Sequence, residues 1–326
     1  MTLYRGLVLV VAVCAMVVLM GCNSGDDNTL YQNISDRAAW SITNTLAFAS
    51  FGGDGRKYIY RCSSDGGGQY LLTTTAHAEL PRNDGGWHPC FSPDGRDIAY
   101  TARRRGGSSS LYIMPTEEGD RTEPARVTDH TVAGEDIQAT WSPDGTTLLF
   151  ATTKQVGGVG DGDYNLATAP AAAGADSTLV VATNADEQWP AYSPDGTRIA
   201  YQYRAAGAVR TDIRICNADG SGDVELTTAA LLPGTSTRNE APAWGTVGGE
   251  EWIYFHSNRS GDFDIWRIRP DGTGLAQVTD SPQSDGYPVM RPDGTEVMFT
   301  RDRELWAKVT APTGSQNDER RITRRY

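Results

Sequence analysis

Four histidines and five cysteines are spread over 326 residues. There is no Gly-x-Ser-x-Gly nucleophile elbow, so an α/β-hydrolase site is not encoded. One glycine-rich stretch, residues 157–162, is followed by no helical pattern and reads as a loop, not a phosphate cradle. Long helical periodicity is missing throughout. Basic residues are outnumbered, 29 against 41 acidic, giving a net charge of −12. An acidic chain repels phosphate backbones, which sets nucleic acid aside as a partner. The longest apolar run, residues 7–20, is 14 long. A spanning helix needs about 20.

What is abundant is a repeated turn. Trp141-Ser142-Pro143-Asp144-Gly145 leads into Leu148-Leu149-Phe150. Proline fixes φ at the second turn position, and glycine takes the position where φ is positive. The same unit recurs as Phe91-Ser92-Pro93-Asp94-Gly95, Tyr192-Ser193-Pro194-Asp195-Gly196 and Met290-Arg291-Pro292-Asp293-Gly294. Worn copies begin at Trp40 and Trp244. The leading residues step by 51, 50, 51, 52 and 46. A second strand pair follows each unit, clearest from Asp264-Ile265-Trp266 to Val278-Thr279. Its counterparts end at Leu72-Thr73, Val127-Thr128, Val181-Ala182, Leu226-Thr227 and Ile322-Thr323. Four short strands every 40–50 residues or so predict propeller blades. The expected fold is all-β, a single six-bladed β-propeller of four-stranded antiparallel blades. Blade one can begin near Tyr31 and blade six can end near Thr323, so no strand need be shared across the seam.

The Ser-Pro-Asp-Gly unit, together with His256-Ser257-Asn258-Arg259-Ser260-Gly261-Asp262-Phe263-Asp264-Ile265-Trp266, resembles the WD-like repeat of the TolB β-propeller family. The likeness covers roughly residues 31–326. It implies a non-enzymatic envelope platform that binds a protein partner or peptide at one mouth of the axial channel. Two departures stand out. TolB places an α/β domain before its propeller, and TolB is not lipid-anchored. An oligogalacturonate lyase of this fold uses a histidine cluster. Here His77, His88, His130 and His256 fall at unrelated repeat positions. Peptidase relatives append a hydrolase domain, for which the chain leaves no room. A carbohydrate or small-ligand binder is the alternative, and a propeller lyase or hydrolase is a weaker third.

Residues 1–21 read as a lipoprotein signal peptide. Arg5 supplies the positive end, and the apolar run stops at Leu19-Met20-Gly21-Cys22, which resembles the bacterial lipobox. Acyl chains on Cys22 would hold the protein at a membrane. Residues 22–30 form a polar tether. Asn23 after the cysteine favours the periplasm-facing outer membrane by the bacterial sorting rule. Cys62, Cys90 and Cys216 remain, an odd number for an exported protein. They read as small buried hydrophobes, with a Cys62–Cys90 disulfide as the other option. A monomer is expected.

The first strand of each blade lines the channel, so residues four and five before each leading residue should rim one mouth. Asp36, Asp136, Glu187, Glu240 and Asp285 occupy those positions. They predict an acidic ring able to hold basic peptide groups, or a cation within the channel. No other cofactor is implied. One position further on stand His88, Trp189 and Tyr287, polar-tipped aromatics suited to a peptide or sugar.

If Cys22 carries lipid, Cys22→Ser moves the protein from the membrane fraction to the soluble fraction and removes metabolic acyl labelling. An unchanged distribution with no label on the wild type contradicts lipidation.

Overall fold

The structure is a computed structural model that describes residues 37–52, 56–73, 86–103, 108–117, 123–128, 133–154, 156, 162–228, 236–310 and 318–323. The signal peptide, the tether, Tyr31 and Asp36 lie outside the described residues. The six sheets each contain four antiparallel strands in sequence order. Their inner strands are Ala39–Trp40, Trp87–Phe91, Asp136–Trp141, Ala185–Tyr192, Asn239–Val247 and Asp285–Met290. The outer strands are Tyr70–Leu71, Ala125–Arg126, Thr178–Val181, Val224–Glu225, Ala276–Gln277 and Glu319–Arg321. Every blade takes its four strands from consecutive sequence, blade one and blade six included.

The turn chemistry is the one its composition dictates. In blade two, the Gly95 N–H closes on Ser92 O at 2.9 Å with φ at 74°. Asp94 accepts from the Ser92 hydroxyl at 2.6 Å and from Arg96 N–H at 3.1 Å. Ser92 Oγ then accepts from Asp97 N–H at 3.0 Å, fixing the start of the next strand. Blades three and four repeat this network with Ser142/Asp144 and Ser193/Asp195. Hydrogen bonds from Ser193 and Thr197 lower the Asp195 pKa to about 2. A second device recurs at the outer edge. The hydroxyls of Thr73, Thr128, Thr227, Thr279 and Thr323 each accept from the second or third amide of the third strand, at 2.8–3.0 Å. Blade three has Ala182 there, and its outer strand is longer, Thr178–Val181.

Burial follows the period of two. On the second strand of blade two, Ile98 and Tyr100 pack toward blade one while Ala99 packs toward blade three. The core is therefore six apolar seams between neighbouring blades. Tyr100, Phe150, Tyr201, Phe255 and Phe299 are wholly buried at one equivalent strand position. The last seam joins Trp40, Phe48 and Tyr60 of blade one to Met298, Leu305 and Ile322 of blade six. Arg320 donates to Ser64 O across it at 2.9 Å. Cys62, Cys90 and Cys216 are thiols, not disulfide-bonded. Cys62 and Cys216 are buried and Cys90 is partly so. Burial raises each thiol to about 12, so all three stay protonated.

Blade-to-blade contact is close enough to demand glycine at the seam. Gly66, at φ 88°, lies so near Ile322 that a Cβ would overlap that backbone oxygen. Gly68, two residues on, also has positive φ but nothing within 4 Å. Gly68→Ala should cost about 1–2 kcal/mol for the left-handed backbone alone. Gly66→Ala should cost about 1–3 kcal/mol more, from overpacking at the seam. Equal urea midpoints for the two variants would contradict the closed ring.

Candidate functional site

The channel is shaped by a bulge that recurs in the inner strands. Register shifts fall at Trp87/Cys90, Gln188/Ala191, Glu240/Ala243 and Gly286/Val289, and opposite Leu149/Ala151 in blade three. At the bulge of blades two to six sits one left-handed residue: His88 (φ 48°), Gln138 (59°), Trp189 (53°), Ala241 (49°) and Tyr287 (54°). Such a conformation costs a non-glycine residue about 1–2 kcal/mol. It turns the amide toward the preceding blade. Trp189 N–H donates to Gln138 Oε1 at 3.0 Å, Ala241 N–H to Gln202 Oε1 at 3.3 Å, and Tyr287 N–H to His256 Nδ1 at 3.1 Å. These inter-blade bonds offset the conformational cost.

His88, Trp189 and Tyr287 come from alternate blades and meet. Ring centroids are 5.1 Å apart for His88–Trp189 and 5.3 Å for Trp189–Tyr287. Trp189 is 8% exposed. Tyr287 also contacts His256 edge-on at 5.1 Å. The three predicted aromatics are thus one cluster inside the channel, and Trp189 lines a cavity on either side of it.

The predicted acids divide by side. Asp136, Glu187 and Asp285 are 2%, 0% and 0% exposed and lie within the blades. Lys154 Nζ meets Asp136 Oδ2 at 2.5 Å, and the Thr152 hydroxyl donates to Oδ1 at 2.7 Å. Arg301 grips Asp285 with two bonds, of 2.6 and 2.7 Å, and reaches Glu319 at 2.8 Å. Burial opposes the Arg301 charge, but these carboxylates raise its pKa above the ordinary value. Glu187 accepts from the Thr183 hydroxyl. Blade five has Asn239 in this position, 0% exposed, holding Arg259 at 2.9 Å and Ser257 at 2.9 Å. Asp136, Asp285 and Asn239 tie the first strand to the second or to the residues just after it, and Glu187 holds the segment before its own strand, so these residues do not form the shared acidic ring expected from the sequence. Glu240 stands one residue later, which reverses its side.

Glu240 alone of these described acids lines the mouth cavity of about 480 Å³, with Trp189, Tyr287, Arg204, Arg238 and His256. It accepts from Arg238 Nε at 2.8 Å and lies 3.2 Å from His256 Nε2. Because His256 Nδ1 accepts the Tyr287 amide, the ring proton belongs on Nε2, directed at Glu240. Burial opposes ionisation of Glu240, yet His256 and Arg238 outweigh it and hold its pKa below the usual value. Arg204 pairs with Asp186, its partner on the adjacent first strand of the same blade. Gln202 and His256 follow Ile-Ala-Tyr and Ile-Tyr-Phe on the second strands, a repeat position that could have marked them. Arg204 and Arg238 carried no sequence signal. Among the described residues, no three of His, Cys, Asp and Glu converge as a metal site would require.

Taken together, a ring of six four-stranded blades around a constricted channel defines a six-bladed β-propeller. Its variety is TolB-like. No protein-family profile matches the chain. An uncharacterized protein of Agrobacterium fabrum is 29% identical over 213 residues, 65% of this chain and 64% of that one. A TolB homolog of Chlorobium luteolum is 35% identical over 114 residues, 35% of this chain but 23% of the relative. The chain thus spans less than two thirds of either protein. Among solved structures, a putative TolB from Agrobacterium tumefaciens superposes with TM-score 0.59 at 23% identity, covering 78% of this chain and 84% of that one. An oligogalacturonate lyase from Vibrio parahaemolyticus (TM-score 0.56, 13% identity, 90% of this chain and 78% of that one) and a Mycobacterium tuberculosis puromycin-hydrolyzing peptidase (0.59, 16%, 87% and 46%) share the fold alone.

If Asp136 is a clamp, Lys154→Met strands a buried charge and costs about 3–5 kcal/mol. The double change Asp136→Asn with Lys154→Met should recover most of that loss in chemical denaturation. A near-neutral single variant would place Asp136 in solvent after all.

Proposed function

We propose that this protein is a non-enzymatic lipoprotein of the bacterial cell envelope whose propeller binds a protein partner or peptide at the Glu240 mouth. The observation that carries the reading is the mixed lining of the mouth cavity. Arg204 and Arg238 bring positive charge at 49% and 46% side-chain exposure. Glu240 brings negative charge, and Val209, 66% exposed, brings apolar surface at the same cavity. Paired charges beside an apolar patch suit a protein surface, where they orient a partner while the patch is buried. Two relatives bear the TolB name, one as a Tol-Pal system protein. The lipid anchor on Cys22 and the periplasm-facing outer membrane rest on the lipobox-like sequence.

The mouth also argues against the other readings. Trp189 is flanked by His88 and Tyr287 and is 8% exposed, which leaves little ring face for a stacked sugar. Both ring nitrogens of His256 hold neighbours in place, so neither is available for general acid–base chemistry as the lyase and peptidase readings would need.

The test is affinity capture of envelope proteins on the mature chain, beside an Arg204→Glu/Arg238→Glu variant. A discrete partner bound by the wild type and lost at least tenfold by the variant supports the reading. A partner held equally by both moves the site off this mouth. No protein partner, with glycan-array binding that disappears in Trp189→Ala, would overturn the proposal in favour of a carbohydrate.

A further inference from the structure

Beyond the aromatic cluster, toward the Pro-Asp-Gly turns, the channel holds a second cavity of about 120 Å³. Its walls are largely apolar, from Ala39, Pro89, Ala139 and Val289. Into it come Arg37 and Gln138, and none of the described residues lining it is an Asp or Glu. Gln138 Oε1 is occupied by the Trp189 amide, so its NH₂ group remains as a donor. Arg37 has no ion pair, hydrogen bond or stacked ring among the described residues. Protein around it lowers its pKa from the ordinary arginine value, and the nearby Cys90 thiol is neutral.

That isolation is out of character for the chain. Acids outnumber bases, and the buried cations are matched, Lys154 by Asp136 and Arg301 by Asp285 and Glu319, whereas Arg37 is half-buried and faces the cavity with no acid among the described residues that line it. Arg259 rests on the Trp266 ring, 4.3 Å from its centroid, and bonds Asn239. A guanidinium facing a cavity in which none of the described lining residues is acidic favours an anion beside it.

We propose that this cavity is a carboxylate site. Arg37 presents its planar fork to the two oxygens, and the Gln138 amide adds a further donor. The volume equals that of about four waters at ~30 Å³ each, which suits a carboxylate bearing one or two carbons. The carboxylate arrives as a small free acid or as the terminus of a peptide entering from the turn face. This site lies on the far side of Trp189 from the Glu240 mouth and stands whatever binds there.

The experiment is titration of the purified full chain with acetate in a carboxylate-free buffer. Tryptophan fluorescence and melting temperature are followed, because Trp189 lines the cavity. Sodium chloride at matched ionic strength and neutral acetamide are the controls. Acetate should produce a saturable signal and a rise in Tm that neither control gives, with affinity at least tenfold weaker in Arg37→Gln. Ala139→Asp, which places a carboxylate on the cavity wall, should raise Tm without acetate and abolish the acetate response. That variant decides the matter should Arg37→Gln fail to fold. A short peptide with a free C-terminus that binds at least tenfold more tightly than acetate, while its amide does not, assigns the peptide source. Equal binding of acetate and peptide acid assigns the small acid. Absence of any response beyond chloride, unchanged affinity in Arg37→Gln, or a lowered Tm in Ala139→Asp overturns the site.

Discussion

The channel depends on a single recurring constraint, the amide that a left-handed residue hands to the preceding blade. Blade packing by itself would leave each inner strand straight and the axis open. The bulge places Trp189, Ala241 and Tyr287 with φ near 50° and sends their N–H groups to Gln138, Gln202 and His256. Each bond does two things at once. It ties neighbouring blades together at the axis, where the apolar seams end, and it throws the side chain inward. With bulky rings on alternate blades, three such residues suffice to fill the channel. A bulky left-handed residue would ordinarily be an isolated oddity. Here it recurs in five of the six inner strands, the regular solution to turning them around one axis.

From that constriction follows the asymmetry of the molecule. On the entry side, the mouth is polar and wide, with Glu240, Arg204 and Arg238 around it. On the turn side, the cavity is a quarter of that volume and mainly apolar, with Arg37 beside it and no acid among the described residues that line it. The buried ion pairs between strands one and two separate these surfaces from the seams. Asp136–Lys154 and Asp285–Arg301 are expensive to desolvate, and replacing them with apolar residues need not lower stability. Their use fits register control, since they fix how the first strand enters against the second.

The fold was legible because the turn is chemical. Pro-Asp-Gly has few backbone solutions, and four copies with two worn ones at near-equal spacing leave little besides a propeller. The aromatic trio was also legible, since the repeat alignment put His88, Trp189 and Tyr287 in one column. What failed was parity around the bulge. Asp136 and Glu240 differ by one position in the repeat, and a one-residue offset sends one carboxylate into the blade and the other to the mouth. No local signal in the sequence marks where a bulge inserts its extra residue, so the acids looked like a single ring. Arg204 and Arg238 were invisible for another reason. They lie on parts of blades four and five that the repeat does not constrain, and only the closed ring brings them together. Arg37 stands out only once the cavity around it is seen.

Residue-resolved amide hydrogen exchange tests the central claim most directly. The account predicts that the amides of Trp189, Ala241 and Tyr287 exchange as slowly as those of the second strands, because each is bonded across a blade boundary. Slow exchange in the second strands with fast, loop-like exchange at these three amides would contradict it, since the propeller would then be intact without the ring of inter-blade bonds on which the channel depends.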